Sequence, residues 1–326
     1  MPQPLLGVNF SHRQAEWLGL DPDETFSLLL NDLRVRCFRL SLYWDEIQPE
    51  PTRYDLSQTQ RYLDLAEARG ARVLVTVGLK AQRHPEFYPP AWLLGEGSPP
   101  HGGTVAEQPR LVAHLLLMLE RAVALLADYD AIDSWQVENE PFLPAAGRTV
   151  GWRFDEATLR KEIAAVEGSD PRQRPIVINH SSHTIVEGAW MRALRLGDVL
   201  AQDVYTRIPA GGPLRYWNRY MLGPVGPNLL VQSLLAHRFR RQFWITELQA
   251  EPWEVVPLTE LTSEQTGSIS PELIERNLAL ARRARPDRIY LWGVEWWRFM
   301  ALRGDERYWQ LARRLFSDAA PYPPAV

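Results

Sequence analysis

Leu63-Asp64-Leu65-Ala66-Glu67-Ala68-Arg69-Gly70-Ala71-Arg72-Val73-Leu74-Val75-Thr76-Val77-Gly78 contains a helix end, a tight link and a strand in one short run. Its apolar residues first recur at helical spacing and then follow one another as β-branched side chains, as in a buried strand. Residues 70–72 are the whole connection between the two. After Gly78 the chain runs through a long segment, 78–107, before the next amphipathic stretch begins.

The same unit recurs along the chain. Strands are expected near residues 6–9, 37–42, 73–77, 134–138, 176–179, 200–204, 243–246 and 289–293. Helices are expected at 23–33, 57–69, 108–127, 155–166, 187–196, 228–240, 271–283 and 306–316. The seventh helix has the clearest start, because Ser270 can cap free N–H groups while Pro271 fills a position where no N–H is needed. Regular alternation implies a parallel sheet with helical crossovers.

An open doubly wound sheet would alternate in the same way, so the loops decide. Links 70–72, 128–133 and 286–288 run from helix to strand and are short. Links 78–107, 205–227 and 247–270 run from strand to helix and are long, with many aromatic, Pro and Gly residues. In a barrel all such links leave the C-terminal ends of the strands, where barrel enzymes build their sites. An open sheet would gather them at one crevice. The expected fold is therefore α/β, a (β/α)8 TIM barrel. It forms a single domain over residues 1–326 with long βα loops 3, 6 and 7. The Pro- and Gly-rich stretch 95–103 lies inside loop 3 and marks no linker.

Composition agrees with a globular chain: 326 residues, 45% hydrophobic and 23% charged. A formal net charge of −4 carries no footprint of nucleic-acid binding. Cys37 is the only cysteine, which excludes an internal disulfide or a cysteine-built metal site and fits a reducing compartment. Residues 1–6 lack the pattern of a secretory leader, and no apolar run is long enough to span a membrane. The expectation is a cytoplasmic protein with no membrane partner, or a secreted one if a leader has been removed. The 13 Trp exceed what a barrel core needs, so some are expected to line a site.

Chemistry concentrates at two strand ends. The fourth strand reads Ser134-Trp135-Gln136-Val137-Glu138-Asn139-Glu140-Pro141, and the seventh reads Phe243-Trp244-Ile245-Thr246-Glu247-Leu248. Strands four and seven stand on opposite sides of an eight-stranded ring, so Glu140 and Glu247 are expected to face each other across its mouth. Such a pair suits glycoside hydrolysis, where one carboxylic acid protonates the leaving oxygen while the other attacks or activates water. Any single strand-end Glu can be merely solvated; the pairing, the adjacent Asn139 and the Trp-rich loops favour chemistry. Glu138 is read as alternating onto the face of Glu140 one pleat deeper, as a buried hydrogen-bond partner.

These motifs resemble those of glycoside hydrolase clan A, the barrel group that includes family 5 cellulases and mannanases and the family 35 and 42 β-galactosidases. Asn139-Glu140-Pro141 is similar to the clan's Asn-Glu-Pro run after strand four, and Glu247 to its nucleophile after strand seven. The resemblance implies a retaining β-glycosidase or endo-β-glycanase in which Glu140 is the acid/base, Asn139 holds the sugar 2-hydroxyl and Glu247 is the nucleophile. It further implies that Arg39 and Tyr205 hydrogen-bond the nucleophile, and that a strand-eight Trp lies under the first sugar. Trp292 and Trp296 both fit, with Trp296 favoured because it lies past Gly293. Trp44, His84 and Trp253 in βα loops are further candidates for sugar contact. Family 5 has His-x-Tyr after strand six where this chain has Asp203-Val204-Tyr205, so the likeness is to the clan.

The expected partner is an oligosaccharide or β-glycoside substrate, and the expected chemistry needs no cofactor, since no glycine-rich phosphate loop occurs. Two rivals remain open at this level. A metal-dependent barrel hydrolase would need clustered ligands, and the histidines are scattered. A non-catalytic carbohydrate-binding barrel would need the tryptophans and could dispense with one acid.

Overall fold

The computed structural model describes residues 3–94, 103–143, 152–182, 188–210, 216–218, 220, 227–262 and 265–317. Among these, eight strands form a closed parallel barrel: β1 (Leu5–Asn9), β2 (Cys37–Ser41), β3 (Arg72–Val77), β4 (Ile132–Val137), β5 (Ile176–His180), β6 (Val199–Val204), β7 (Gln242–Gln249) and β8 (Arg288–Trp292). They pair in the order β1-β8-β7-β6-β5-β4-β3-β2. The eight expected crossover helices are present as α1 (Pro22–Asn31), α2 (Ser57–Glu67), α3 (Pro109–Leu126), α4 (Glu156–Ser169), α5 (Ala189–Leu196), α6 (Leu229–Arg238), α7 (Pro271–Arg283) and α8 (Arg307–Ser317). The expected stretch 95–103 lies almost wholly outside the described residues, as does the start of the expected fifth helix.

The strands read as apolar runs because they are buried along almost their whole length, as a covered parallel sheet requires. Helix starts follow from capping side chains. Asp21, Asp155, Asn228 and Ser270 each accept a backbone N–H of the first turn, from Glu24, Thr158, Val231 and Leu273. Pro271 occupies the start of α7, as its sequence predicts. No described helix is long and apolar enough to cross a membrane.

By internal contacts the chain divides into two compact units, residues 1–39 with 182–188 and 201–326, and residues 40–181 with 189–200. In the first, β8 pairs with both β1 and β7. The β8–β7 register slips by one residue: Ile289 faces Ile245 and Leu291 faces Leu248, so Thr246 and Glu247 together oppose Tyr290. A bulge of this kind re-aims side chains. In the second unit, β3 pairs with β4 from Leu74↔Ser134 to Val77↔Val137, and β4 pairs with β5.

Two readings from sequence need correction. The fourth strand ends at Val137, before Glu138, so period-two alternation does not extend to Glu138 and Glu140. After β8 the chain forms a helix, Val294–Leu302, that no periodic signal announced. Gly293, at φ 118°, makes the sharp change of direction between strand and helix that a side chain would strain.

Candidate active site

In the first unit, Glu247 lies near the C-terminal end of β7 and is 4% exposed. Arg39 on β2, fully buried, donates from Nη1 to Glu247 Oε1 at 2.8 Å. The same Nη1 donates to Asn9 Oδ1 at 3.0 Å, and the Asn9 amide in turn donates to the carbonyls of Thr246 and Leu291. The guanidinium is thus aimed by strand ends on both sides of the bulge. Tyr205, just past β6, donates its hydroxyl to Glu247 Oε2 at 2.5 Å. Each carboxylate oxygen therefore has its own donor, a cation on Oε1 and a neutral hydroxyl on Oε2.

Aromatic rings surround that tyrosine. Trp253 packs edge-on against Tyr205 with centroids 4.9 Å apart, and Trp292 does so at 6.5 Å. Trp253 is 42% exposed and Trp292 8%. The Trp292 indole donates to Glu251 Oε1 at 2.8 Å, which fixes its ring. Gly293 lets this contact close, since a Cβ there would lie 2.3 Å from Glu251 Cβ. Trp253 is held through its backbone, which donates to Ser268 Oγ, while Glu254 next to it accepts from Tyr216 and Ser268.

In the second unit, Glu140 sits on a turn directly after β4. Glu138 and Glu140 have φ 63° and 46°, the left-handed region that non-glycine residues enter at a cost of about 1–3 kcal/mol each. A dense set of bonds holds them there. Glu138 N–H donates to Val77 O, Asn139 N–H to Lys80 O, and Glu140 N–H to Asn179 Oδ1, at 2.8, 2.8 and 2.7 Å. Gln136 Nε2 donates to Glu138 O, and Lys80 Nζ to Glu140 O at 3.2 Å. Asn179 Nδ2 donates to Asn139 Oδ1 at 2.9 Å and orients that amide. Asn139 and Glu140 are buried but retain some exposed surface. Burial pushes the Glu138 carboxyl up to about 7, opposed by hydrogen bonds from the Leu79 and Lys80 peptides and from Glu162.

Among the expected site residues, Arg39, Tyr205, Trp292 and Trp253 gather around Glu247, and Asn139 accompanies Glu140. Trp296 and Trp44 do not belong with them. Trp296 is fully buried in the helix Val294–Leu302 against Phe299 and Tyr308, and Trp44 is fully buried in the short helix Trp44–Ile47 with its indole on Gln48. Neither ring has a face for a sugar, so the preference for Trp296 over Trp292 reverses. His84 is exposed in loop 3, at the tip of a turn closed by the Lys80–Phe87 bridge.

Asn9, Lys80, Glu162 and Asn179 were not picked out from sequence. Lys80 carried a signal, as one of two lysines among 36 basic residues and the residue next but one after Gly78. Asn9 and Asn179 are polar residues at the ends of apolar strands, which is where a barrel places them over its mouth. Glu162 lies mid-helix, and only its burial distinguishes it. No group of three or more His, Cys, Asp or Glu side chains that could hold a metal ion occurs among the described residues.

No protein-family model matches the sequence, and neither does any curated protein. Solved structures do match in fold. GH5_18 from Streptomyces cattleya, in complex with GlcNAc, is similar with a TM-score of 0.63 and 16% identity over 99% of this chain and 82% of that one. A GH5_18 variant from Bifidobacterium longum subsp. longum, in complex with Manβ1-4GlcNAc, has a TM-score of 0.64 at 15% identity over 98% and 80%. The exo-β-1,4-mannosidase Op5Man5 from an Opitutaceae bacterium has a TM-score of 0.61 at 16% identity over 98% and 61%. At these identities the likeness is one of fold.

Proposed function

We propose that this chain is a retaining glycoside hydrolase that cleaves β-glycosidic bonds, with Glu247 as nucleophile and Glu140 as acid/base. The observation that carries the reading is the housing of Glu247: a nearly buried carboxylate whose two oxygens are taken by Arg39 and Tyr205, with Trp253 and Trp292 flanking the tyrosine. A carboxylate so fixed can attack an anomeric carbon without rearrangement, and its charge complements the positive charge that builds there. Glu140, at the end of a different strand, gives its proton to the leaving oxygen as the bond to C1 breaks and an ester forms to Glu247. Glu140 then takes a proton from water, which attacks C1, releases Glu247 and restores the starting configuration. In this reading Asn139, whose amide oxygen accepts from Asn179, binds the sugar 2-hydroxyl, and Trp253 and Trp292 meet its apolar face.

The substrate class is a β-linked oligosaccharide. β-Mannosides are the first to try, because structures of the same fold include an exo-β-1,4-mannosidase and a complex with Manβ1-4GlcNAc. The decisive experiment uses Glu247→Gly on an aryl β-mannoside, with other aryl β-glycosides in parallel. Hydrolysis should fall by at least about 10⁴-fold. Azide should restore turnover and give a glycosyl azide of inverted configuration. Azide rescue of Glu140 variants that gives the inverted glycosyl azide, with Glu247 variants giving the retained one, would exchange the two roles. A wild-type chain that binds sugars but turns over none of the panel would leave a binding barrel, and EDTA-sensitive turnover would favour the metal-dependent rival.

A further inference from the structure

Glu138 takes no part in the reaction proposed above, yet its carboxyl has a seat built for it. Glu138 and Glu162 on α4 are both fully buried. The peptide N–H groups of Leu79 and Lys80 donate to the two Glu138 oxygens at 2.7 and 2.6 Å. Room exists only because residue 78 lacks a side chain: a Cβ on Gly78 would lie 2.4 Å from Glu138 Oε1, and φ there is 140°.

The Glu162 carboxyl meets that of Glu138 in hydrogen-bonding contact, and neither Glu162 oxygen finds another donor among the described residues. Two ionised carboxylates only accept, so a contact between them becomes a hydrogen bond when one carries a proton. Without it, two like charges would share a dry interior. Lys80 faces Glu138 with one positive charge, which it also spends on Glu86 at 3.3 Å; Asp155 adds a further negative charge opposite Glu162. One cation offsets one carboxylate and leaves the second to be neutralised.

We propose that Glu138 and Glu162 share a single buried proton, and that this pair is the positioning device that holds the turn bearing Glu140. The positioning half rests on the reading of Glu140 as acid/base. The same peptides that seat Glu138 also fix its neighbours: Lys80 O receives Asn139 N–H, and Lys80 Nζ holds the carbonyls of Glu140 and Leu143. Burial raises both carboxyls, Glu162 well above the ordinary range, in keeping with a retained proton. Loss of that proton would drive the two charges apart and release the left-handed turn. Misplacing a catalytic group by about 1 Å costs on the order of 10²-fold in rate.

Infrared spectroscopy reads the proton directly. In a Glu140→Gln background, which removes the proton of the general acid, the chain should show a hydrogen-bonded, deuterium-sensitive carboxylic-acid C=O band at neutral pH. Adding Glu162→Gln should abolish that band, since an amide N–H then bonds an ionised Glu138. In kinetics, Glu162→Leu should lower kcat about 10²-fold with KM little changed. Glu162→Gln should recover most of that loss and carry kcat further into the alkaline range. Absence of the band in a chain that hydrolyses glycosides would overturn the shared proton while sparing the assignment of Glu140. Presence of the band in a chain that hydrolyses none would overturn the positioning role together with that assignment. Wild-type kcat in Glu162→Leu would also overturn it. Should that variant fail to fold, the band and the pH profile of Glu162→Gln decide alone.

Discussion

Glu247 and Glu138 are both carboxyls buried at the end of a barrel strand, and they are housed in opposite ways. Glu247 is met by a guanidinium and a phenol, one donor to each oxygen. Glu138 is hydrogen-bonded by two peptide N–H groups and a second acid, and the Lys80 cation acts on it only through space, its own hydrogen bonds going to the Glu140 and Leu143 carbonyls. A cation hydrogen-bonded to a carboxylate keeps a negative charge in place, while peptide donors and the proposed shared proton keep a shape in place with less charge to bury. On the proposed reading, Glu247 needs its charge at the moment of attack. Glu138, in the turn that bears Glu140, needs only to stay where it is. The two regions should therefore break differently when one partner is removed.

The largest effect is expected at Arg39. Arg39→Met leaves a buried, uncompensated carboxylate, which costs about 3–5 kcal/mol of stability. Urea or thermal unfolding should read that loss, and surviving folded enzyme should lose kcat/KM. Combining Arg39→Met with Glu247→Leu should return much of the stability and none of the activity, because the charge that needed a partner is gone. If the single variant were as stable as wild type, Glu247 would not depend on its cation.

Gly78→Ala attacks the other region without touching a charge. The added methyl would fall on the Glu138 carboxyl at a backbone conformation that alanine adopts only with strain. Overpacking and strain together should cost about 2–4 kcal/mol. Glu138 would leave its seat, and kcat should fall more than KM changes. A variant with intact activity would show that the seat does not govern Glu140.

The paired acids also predict a stability that depends on pH with a definite sign. Below the ordinary Glu value of 4.5, folded and unfolded chains both carry the proton, and the pair contributes no slope. Above that value only the folded state holds it, so stability falls as pH rises until the folded pair too gives up its proton. Each pH unit over which only the folded state holds the proton is worth about 1.4 kcal/mol. Glu162→Gln should flatten this part of the curve. A wild-type curve with no decline there would remove the proton from the pair.

Legibility from sequence divides along the same line. The barrel was readable because its strands are covered on both faces and its long loops all follow strands, so period and loop length carried the topology. Glu247 was readable because it ends an apolar run on its strand, whereas Arg39 and Tyr205 were singled out only through the resemblance to clan A motifs. Glu138 was legible only as a buried partner, with its geometry misread, because a left-handed turn after Val137 leaves no periodic trace. Glu162 and Asn179 act across strand and helix boundaries, and spacing along the chain says nothing of contacts at that range. Trp296 misled for a related reason: Gly293 signalled the end of β8 correctly but gave no sign that a buried helix follows.

The tryptophans offer the smallest and most discriminating test of the region around Glu247. Trp253 shows 42% of its surface and packs edge-on against Tyr205, whereas Trp296 shows none. An edge-to-face aromatic contact is worth about 0.5–1.5 kcal/mol, so Trp253→Ala should cost folding little while Tyr205 loses a neighbour that steadies its bond to Glu247. If the exposed ring also stacks on a sugar, KM should rise several-fold with kcat reduced less. Trp296→Phe should do the reverse, lowering the unfolding midpoint through a core cavity and leaving KM alone. A KM effect confined to Trp296→Phe would mean that the buried ring, and not the exposed one, shapes the site around Glu247.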